Sequence, residues 1–361
     1  MDVALDARWM QLRPLGGVGR ILANVLPHVP AGVDLTLLTD PRWPELHAAQ
    51  AVMPLRAPWP GHAAAWLQWS APRWLREFTG VFHCPFYALP FRQSVPMVVT
   101  IHDLTFEDHP EWFPRGRAWS YRAQARHAAR TADVVMTVSE HVRDRIAERY
   151  GVPQERLVVA SPAVDPVFLA DHDVDAVRRQ CGVNNRYVVA LGGGPRRNLG
   201  LALEAWERVR RRHEDVELVV VGRAPAAEAP GVRTVGAVDD DTWAALLAGA
   251  AALLYPTSDE GFGMPALEAA ASGTPVVCIR AGALPEVLAD AAMWVDTLTA
   301  EALAAGLERL LTDAAGADAL TVAGRRRAAE LPGWEVAAAR HVQAWTAAAE
   351  SGRRNGVSRG A

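Results

Sequence analysis

Residues 252–279 read ALLYPTSDEGFGMPALEAAASGTPVVCI. An apolar run over 252–255 stops at Pro256, and a polar loop holding two glycines follows. Then comes a small-residue apolar stretch with Pro265 at its start, where a first helical turn tolerates proline. A second apolar run, 275–279, closes the unit. Runs that are apolar at every position, not at alternate ones, fit strands buried on both faces. Two such strands separated by a helix make one crossover unit of a parallel sheet.

The same rhythm extends in both directions. Residues 3–5, 81–82, 97–101 and 134–138 read as buried strands, as do 187–191 and 218–221. The first series ends near 158–160. Residues 161–171, with two prolines and little periodicity, read as an interdomain linker. The second series opens with a helix over 174–181 and runs to about 331. An amphipathic helix over 334–350 and a polar tail over 351–361, expected to be disordered, complete the chain. The fold class implied is α/β, with two Rossmann-like domains facing each other across a cleft. They cover 1–165 and 172–333, and helix 334–350 crosses back toward the first. In open sheets of this kind ligands sit at the carboxyl ends of the strands.

Composition narrows the function. A chain of 361 residues suits two domains, and 50% apolar residues supply two cores. A formal net charge of −4 argues against nucleic acid as a partner. All 37 basic residues are arginine, which removes a lysine Schiff base and a P-loop lysine from consideration. Cys84, Cys181 and Cys278 are too scattered for a disulfide framework or a zinc ribbon. The N-terminus lacks a signal-peptide pattern, and no window is long and apolar enough for a membrane span. A cytoplasmic location is expected, with peripheral membrane contact left open.

Four constellations carry the chemistry. Glu260-Gly261-Phe262-Gly263-Met264 lies between a strand and a helix, and Glu268 follows on that helix. Its glycines permit close backbone approach, and free N–H groups at the helix start suit a phosphate or sugar oxygens. A lone first-turn glutamate is ordinarily a surface residue. Two carboxylates across a Gly-x-Gly turn suit sugar or ribose hydroxyls. The loop Gly192-Gly193-Gly194-Pro195-Arg196-Arg197-Asn198 follows another strand; a solvated turn with surface arginines is its plainer reading. His102-Asp103 directly follows strand 97–101, where an Asp often only caps a turn. Gly16-Gly17-Val18-Gly19 opens the first helix, but the dinucleotide fingerprint is incomplete and no acidic residue closes a second strand convincingly. Asp239-Asp240-Asp241 reads as a helix cap and not as a metal site. The tryptophans Trp59, Trp66, Trp69 and Trp74 suggest a membrane patch, but helical spacing favours packing in a core or an acceptor pocket.

The run from Glu260 to Glu268 resembles the glutamate–seven–glutamate motif of family 4 retaining glycosyltransferases of the GT-B fold. The continuation through Ser272-Gly273-Thr274-Pro275, the segments Thr100–Leu104 and Val138-Ser139-Glu140, and Arg196-Arg197-Asn198 fit the same pattern, in order, from Leu5 to about Trp345. Together they resemble the mannosyltransferase-B-like branch. That resemblance implies a hexosyltransferase with a nucleotide-sugar co-substrate, GDP-mannose first among candidates. Arg196, Arg197 and the helix starts near Gly17 and Gly263, with no ligand-spaced His/Asp/Glu group near either glycine loop, predict that the enzyme needs no divalent metal or other cofactor. A glycan, a lipid-linked sugar or a small molecule would be the acceptor. It implies that Glu260 contacts the transferred sugar and Glu268 the ribose. The backbone of Gly261, Phe262, Gly263 and Met264 would line the donor. Gly16 and Gly17 would lie against the diphosphate, and His102 near the sugar and acceptor. Arg196 and Arg197 would hold the diphosphate; Arg197 stands where the family usually has lysine, and Gly193 where many relatives have arginine. The remaining alternatives are a nicotinamide-dependent oxidoreductase and a catalytically silent nucleotide-sugar-binding subunit.

Overall fold

The computed structural model describes every residue except 13–14, 59–62, 225–229 and 355–361. Contacts divide the chain into two units: Met1–Pro162 with the segment from Pro332 onward, and Ala163–Leu331.

Unit 1 is built on a seven-stranded parallel sheet. Its strands are β1 (Asp2–Asp6), β2 (Asp34–Thr39), β3 (Ala51–Pro54), β4 (Val81–Cys84), β5 (Met97–Ile101), β6 (Val134–Thr137) and β7 (Leu157–Val159), in the order β3-β2-β1-β4-β5-β6-β7. The inner strands β4, β5 and β6 are buried at every position, which is why they read as unbroken apolar runs. Edge strand β3 is exposed at all four positions and carries no such signature. Strand β4 runs two residues beyond the expected 81–82 because His83 is accommodated, not excluded. Its Nε2 lies 2.8 Å from Thr100 Oγ1, and its Nδ1 accepts from Trp345 Nε1 at 3.2 Å.

Trp345 belongs to the C-terminal helix, Trp334–Arg354, which packs on β4, β5, β6 and the helix Gly17–Val25 within unit 1. The helix continues past the expected end at 350. The remainder of the expected disordered tail, 355–361, lies outside the described residues. Its inner face carries His341, whose ring centroid is 5.7 Å from that of His83. Burial pushes both imidazoles toward the neutral form, His341 down to about 4 and His83 well below its usual value. Below about pH 6.5 the unfolded chain therefore takes up protons that the folded chain refuses. Stability is highest above that pH and falls as pH drops toward 4, by about 1.4 kcal/mol per unit per histidine. The expected result is a denaturation midpoint that declines from about pH 7 to about pH 5 and a shallower decline in His341→Leu. A His341→Leu profile parallel to the parent's would show that this imidazole does not set the slope.

Unit 2 holds six parallel strands: β8 (Arg186–Leu191), β9 (Val216–Val221), β10 (Val232–Val235), β11 (Ala252–Tyr255), β12 (Val276–Ile279) and β13 (Met293–Val295). Their order is β10-β9-β8-β11-β12-β13. Register places Leu253 between Val189 and Val276. The expected linker is largely part of this unit. Asp165 caps the 3-10 turn Pro166–Leu169, Phe168 is buried, and Ser272 Oγ donates to the Phe168 carbonyl at 3.3 Å. One buried phenyl ring is enough to draw an aperiodic segment into a core. No helix among the described residues is long and apolar enough to cross a membrane.

Candidate active site

The strand order of unit 2 reverses between β8 and β11. Connections leave these neighbours in opposite directions and open a crevice at their carboxyl ends. The glycine–arginine loop follows β8, and the Glu260 loop follows β11, so the topology brings the two strongest sequence constellations side by side. Two hydrogen bonds stitch them together. Asn198 Nδ2 donates to the Pro256 carbonyl at 2.9 Å, and Ser258 N donates to the Arg196 carbonyl at 3.2 Å.

The glycines of the first loop divide their work. A Cβ on Gly192 would stand 2.2 Å from the Arg223 carbonyl oxygen, so backbone packing demands glycine there. No described atom lies within 4 Å of where a Cβ on Gly194 would be, which leaves open space beside Arg196. Arg197 folds back so that its Nη1 donates to the Gly192 carbonyl. Arg196 points the other way, its Nε 3.7 Å from Glu260 Oε1.

Glu260 is almost wholly buried, and three groups gather on one of its oxygens. Oε1 accepts from Tyr255 Oη at 2.5 Å and from Thr257 Oγ1 at 3.2 Å, with Arg196 beside it. Burial, reinforced by the nearby carboxylate, drives the Tyr255 phenol well above its ordinary pKa, so it stays a donor. The Glu260 carbonyl accepts from Ala283 N at 2.9 Å, which fixes the main chain too. Gly263 has φ 95°, in the left-handed region, and turns the chain into helix Met264–Ala271 with Pro265 in its first turn. Phe262 is buried and Met264 half-buried.

Glu268 stands apart from this cluster. It is buried on the same helix, and its Oε2 accepts from Trp243 Nε1 at 2.8 Å. Trp243 projects from helix Asp240–Ala248, capped by Asp239, whose Oδ1 accepts from Thr242 N at 2.9 Å. The acidic triplet is the helix cap that its sequence suggests. Tyr255, Thr257 and Trp243 were not legible as site residues. Their polar tips are hidden in runs that read as core or turn.

In unit 1, His102 follows β5, as expected. Its Nε2 lies 2.9 Å from the Pro85 carbonyl, which only accepts, so the proton sits on Nε2 and Nδ1 is the remaining acceptor. Burial lowers its pKa and keeps it neutral. Val18 and Ile21 of the first helix and His341 share with His102 a cavity of about 10 Å³. Gly16 and Gly17 stand at the start of that helix, and no described atom lies within 4 Å of where either Cβ would be, so packing does not require glycine at either. The dinucleotide alternative weakens here, because the Asp40 carboxylate that would have to reach a ribose is held by Arg42, with Nε–Oδ1 2.9 Å.

Two parallel α/β units with carboxylate and guanidinium groups gathered at a switch point fit the glycosyltransferases of the GT-B class. The chain belongs to glycosyltransferase family 4. The "Glycosyltransferase Family 4" model matches residues 15–168, and the "Glycosyl transferases group 1" model matches residues 185–313. The chain is 27% identical over 285 residues to O-antigen chain mannosyltransferase B of Escherichia coli, covering 72% of this chain and 73% of that one. It is 32% identical over 275 residues to an MMP alpha-(1->4)-mannosyltransferase of Mycolicibacterium hassiacum, covering 70% and 65%. Among solved structures, WaaG, a glycosyltransferase involved in lipopolysaccharide biosynthesis, superposes with a TM-score of 0.75 at 17% identity, over 95% of this chain and 98% of that one. The oxidoreductase alternative is not favoured by any of these.

Proposed function

We propose that the chain is a retaining hexosyltransferase that moves mannose from GDP-mannose to an acceptor hydroxyl without a divalent metal. The observation that carries this reading is the pairing of the Glu260 carboxylate with the Arg196–Arg197 loop at the β8/β11 switch point. The names of the two mannosyltransferase relatives support the sugar. The lipid-linked, glycan or small-molecule identity of the acceptor stays with the class.

In this reading the donor diphosphate lies over the open side of the Gly194 turn, where Arg196 and Arg197 neutralise the charge that grows as the glycosidic bond breaks. Bidentate guanidinium contacts suit phosphate oxygens. Glu260, its inner oxygen saturated by Tyr255 and Thr257, accepts from a hydroxyl of the transferred sugar. The backbone of Gly261, Phe262, Gly263 and Met264 lines the donor, and Glu268 receives the ribose hydroxyls. His102 orients the sugar or the acceptor hydroxyl, with Gly16 and Gly17 permitting close approach of the diphosphate. No carboxylate nucleophile is assigned. Substitution proceeds on the front face, and the departing phosphate takes the acceptor proton.

Two fixed arginines replace a metal in this scheme, and the acidic triplet 239–241 is already used as a helix cap. The test is a thermal-shift panel of GDP, UDP and TDP sugars, followed by donor turnover with EDTA and with added Mg²⁺ or Mn²⁺. Stabilisation by a GDP sugar and turnover indifferent to EDTA are expected. Turnover lost to the chelator and restored by metal would overturn the arginine account, and stabilisation by UDP or TDP sugars alone would overturn the donor.

A further inference from the structure

A groove of about 940 Å³ lies on unit 1, between the segment after edge strand β3 and the helical turns over 66–75. Arg56, Arg73, Arg76 and Arg92 border it, all exposed, and Glu77 is the acidic residue among its walls. None of the four guanidinium groups has a carboxylate partner among the described residues, whereas surface arginines elsewhere, such as Arg145, Arg208 and Arg326, are ion-paired. Trp69 and Phe91 line the same groove at 56% and 67% exposure. They are two of the nine large hydrophobic residues exposed among the described ones.

The exposure of Trp69 departs from the packing that helical spacing suggests. Trp66 is fully buried, as expected, but residues Trp66–Ser70 form a π turn in which Ala71 N donates to the Trp66 carbonyl. That wider turn shifts the phase of the helix and swings Trp69 outward. Trp59 lies outside the described residues.

We propose that this face docks the chain on an anionic lipid bilayer. Unpaired guanidinium groups seek phosphate, and aromatic rings with apolar neighbours partition into the headgroup–acyl boundary. A chain of net charge −4 gains nothing from bulk attraction to such a surface, so a local cationic face must set the orientation. A soluble polyanion would satisfy the arginines but would leave Trp69 and Phe91 in water. The proposal does not depend on the donor or the reaction assigned above.

The experiment is flotation of the full-length chain with phosphatidylglycerol-containing vesicles and with pure phosphatidylcholine vesicles, at low and high salt. Binding to the anionic vesicles alone, weakened by salt, is expected. Replacing Arg56, Arg73, Arg76 and Arg92 together with glutamine should lower vesicle affinity by about 100-fold or more. Trp69→Ala with Phe91→Ala should also weaken it, whereas Arg211→Gln with Arg212→Gln should not. Quenching by brominated lipid should be smaller in Trp69→Phe than in the parent chain. Absence of flotation, equal flotation of the quadruple variant, or binding to heparin without binding to vesicles would each overturn the proposal. The aromatic pair is exposed, so its variant reports on docking even if the quadruple variant fails to fold.

Discussion

Replacing Arg197 with alanine is expected to lower kcat by about 10²-fold or more while the donor KM moves little. In the proposed reaction, negative charge on the diphosphate is greatest when the sugar–phosphate bond is breaking, so a cation aimed there stabilises the transition state more than the bound donor. The structure fixes the Arg197 side chain in one place. Its Nη1 is tied to the Gly192 carbonyl, and its guanidinium lies over Gly193, where a Cβ would come within 3.1 Å of the same nitrogen. The group is therefore positioned before any donor arrives and pays little reorganisation when charge develops. Arg197→Lys should keep more activity than the alanine variant. It supplies the charge without the planar fork. Steady-state kinetics decide the matter. Full kcat with only a raised KM would move Arg197 from the leaving group to ground-state binding.

Much of this arrangement was legible in the sequence. Strand β11 reads from its apolar run residue for residue, and the helix expected over 174–181 has those bounds in the structure. Alternating strands and helices announce two parallel sheets, and the two motif loops follow strands that the topology makes neighbours. What stayed hidden had physical causes. Edge strands β3 and β10 are covered on fewer sides, so burial imposes no apolar run on them. His83 looked like a strand terminator because its partners, Thr100 and Trp345, are 17 and 262 residues away. The sequence does not say which way each of the adjacent arginines turns. Only the 3-10 turn Pro195–Arg197 sends one toward Glu260 and the other back over the glycines. Tyr255 and Trp243 count as hydrophobic in any periodicity argument, yet each directs its one polar atom at a motif glutamate. An aromatic hydroxyl at the last position of a strand, five residues before a motif carboxylate, was the available signal.

That tyrosine sharpens the second expectation. Glu260→Gln should reduce kcat/KM by about 10²–10³-fold, because the amide loses the negative charge that faces a sugar becoming positive at its anomeric carbon. Part of the loss would come from inside the protein. Tyr255 Oη and Thr257 Oγ1 both donate to Oε1, and a glutamine satisfies them only by presenting its carbonyl oxygen, which turns its NH2 toward the sugar. Tyr255→Phe leaves the carboxylate charged but removes a charge-assisted hydrogen bond of about 1.5–3 kcal/mol from a buried oxygen. The loss in kcat/KM should be about tenfold, smaller than for Glu260→Gln, because Thr257 and Arg196 still hold the group. The two changes should not add. Once Glu260 is glutamine, the phenol has little left to orient, so the double variant should be close to Glu260→Gln alone. A purely structural tyrosine gives the opposite pattern, with lower thermal stability, unchanged kinetics in the folded fraction and full additivity. Measuring kcat/KM and the melting temperature for the four members of this cycle separates the two accounts.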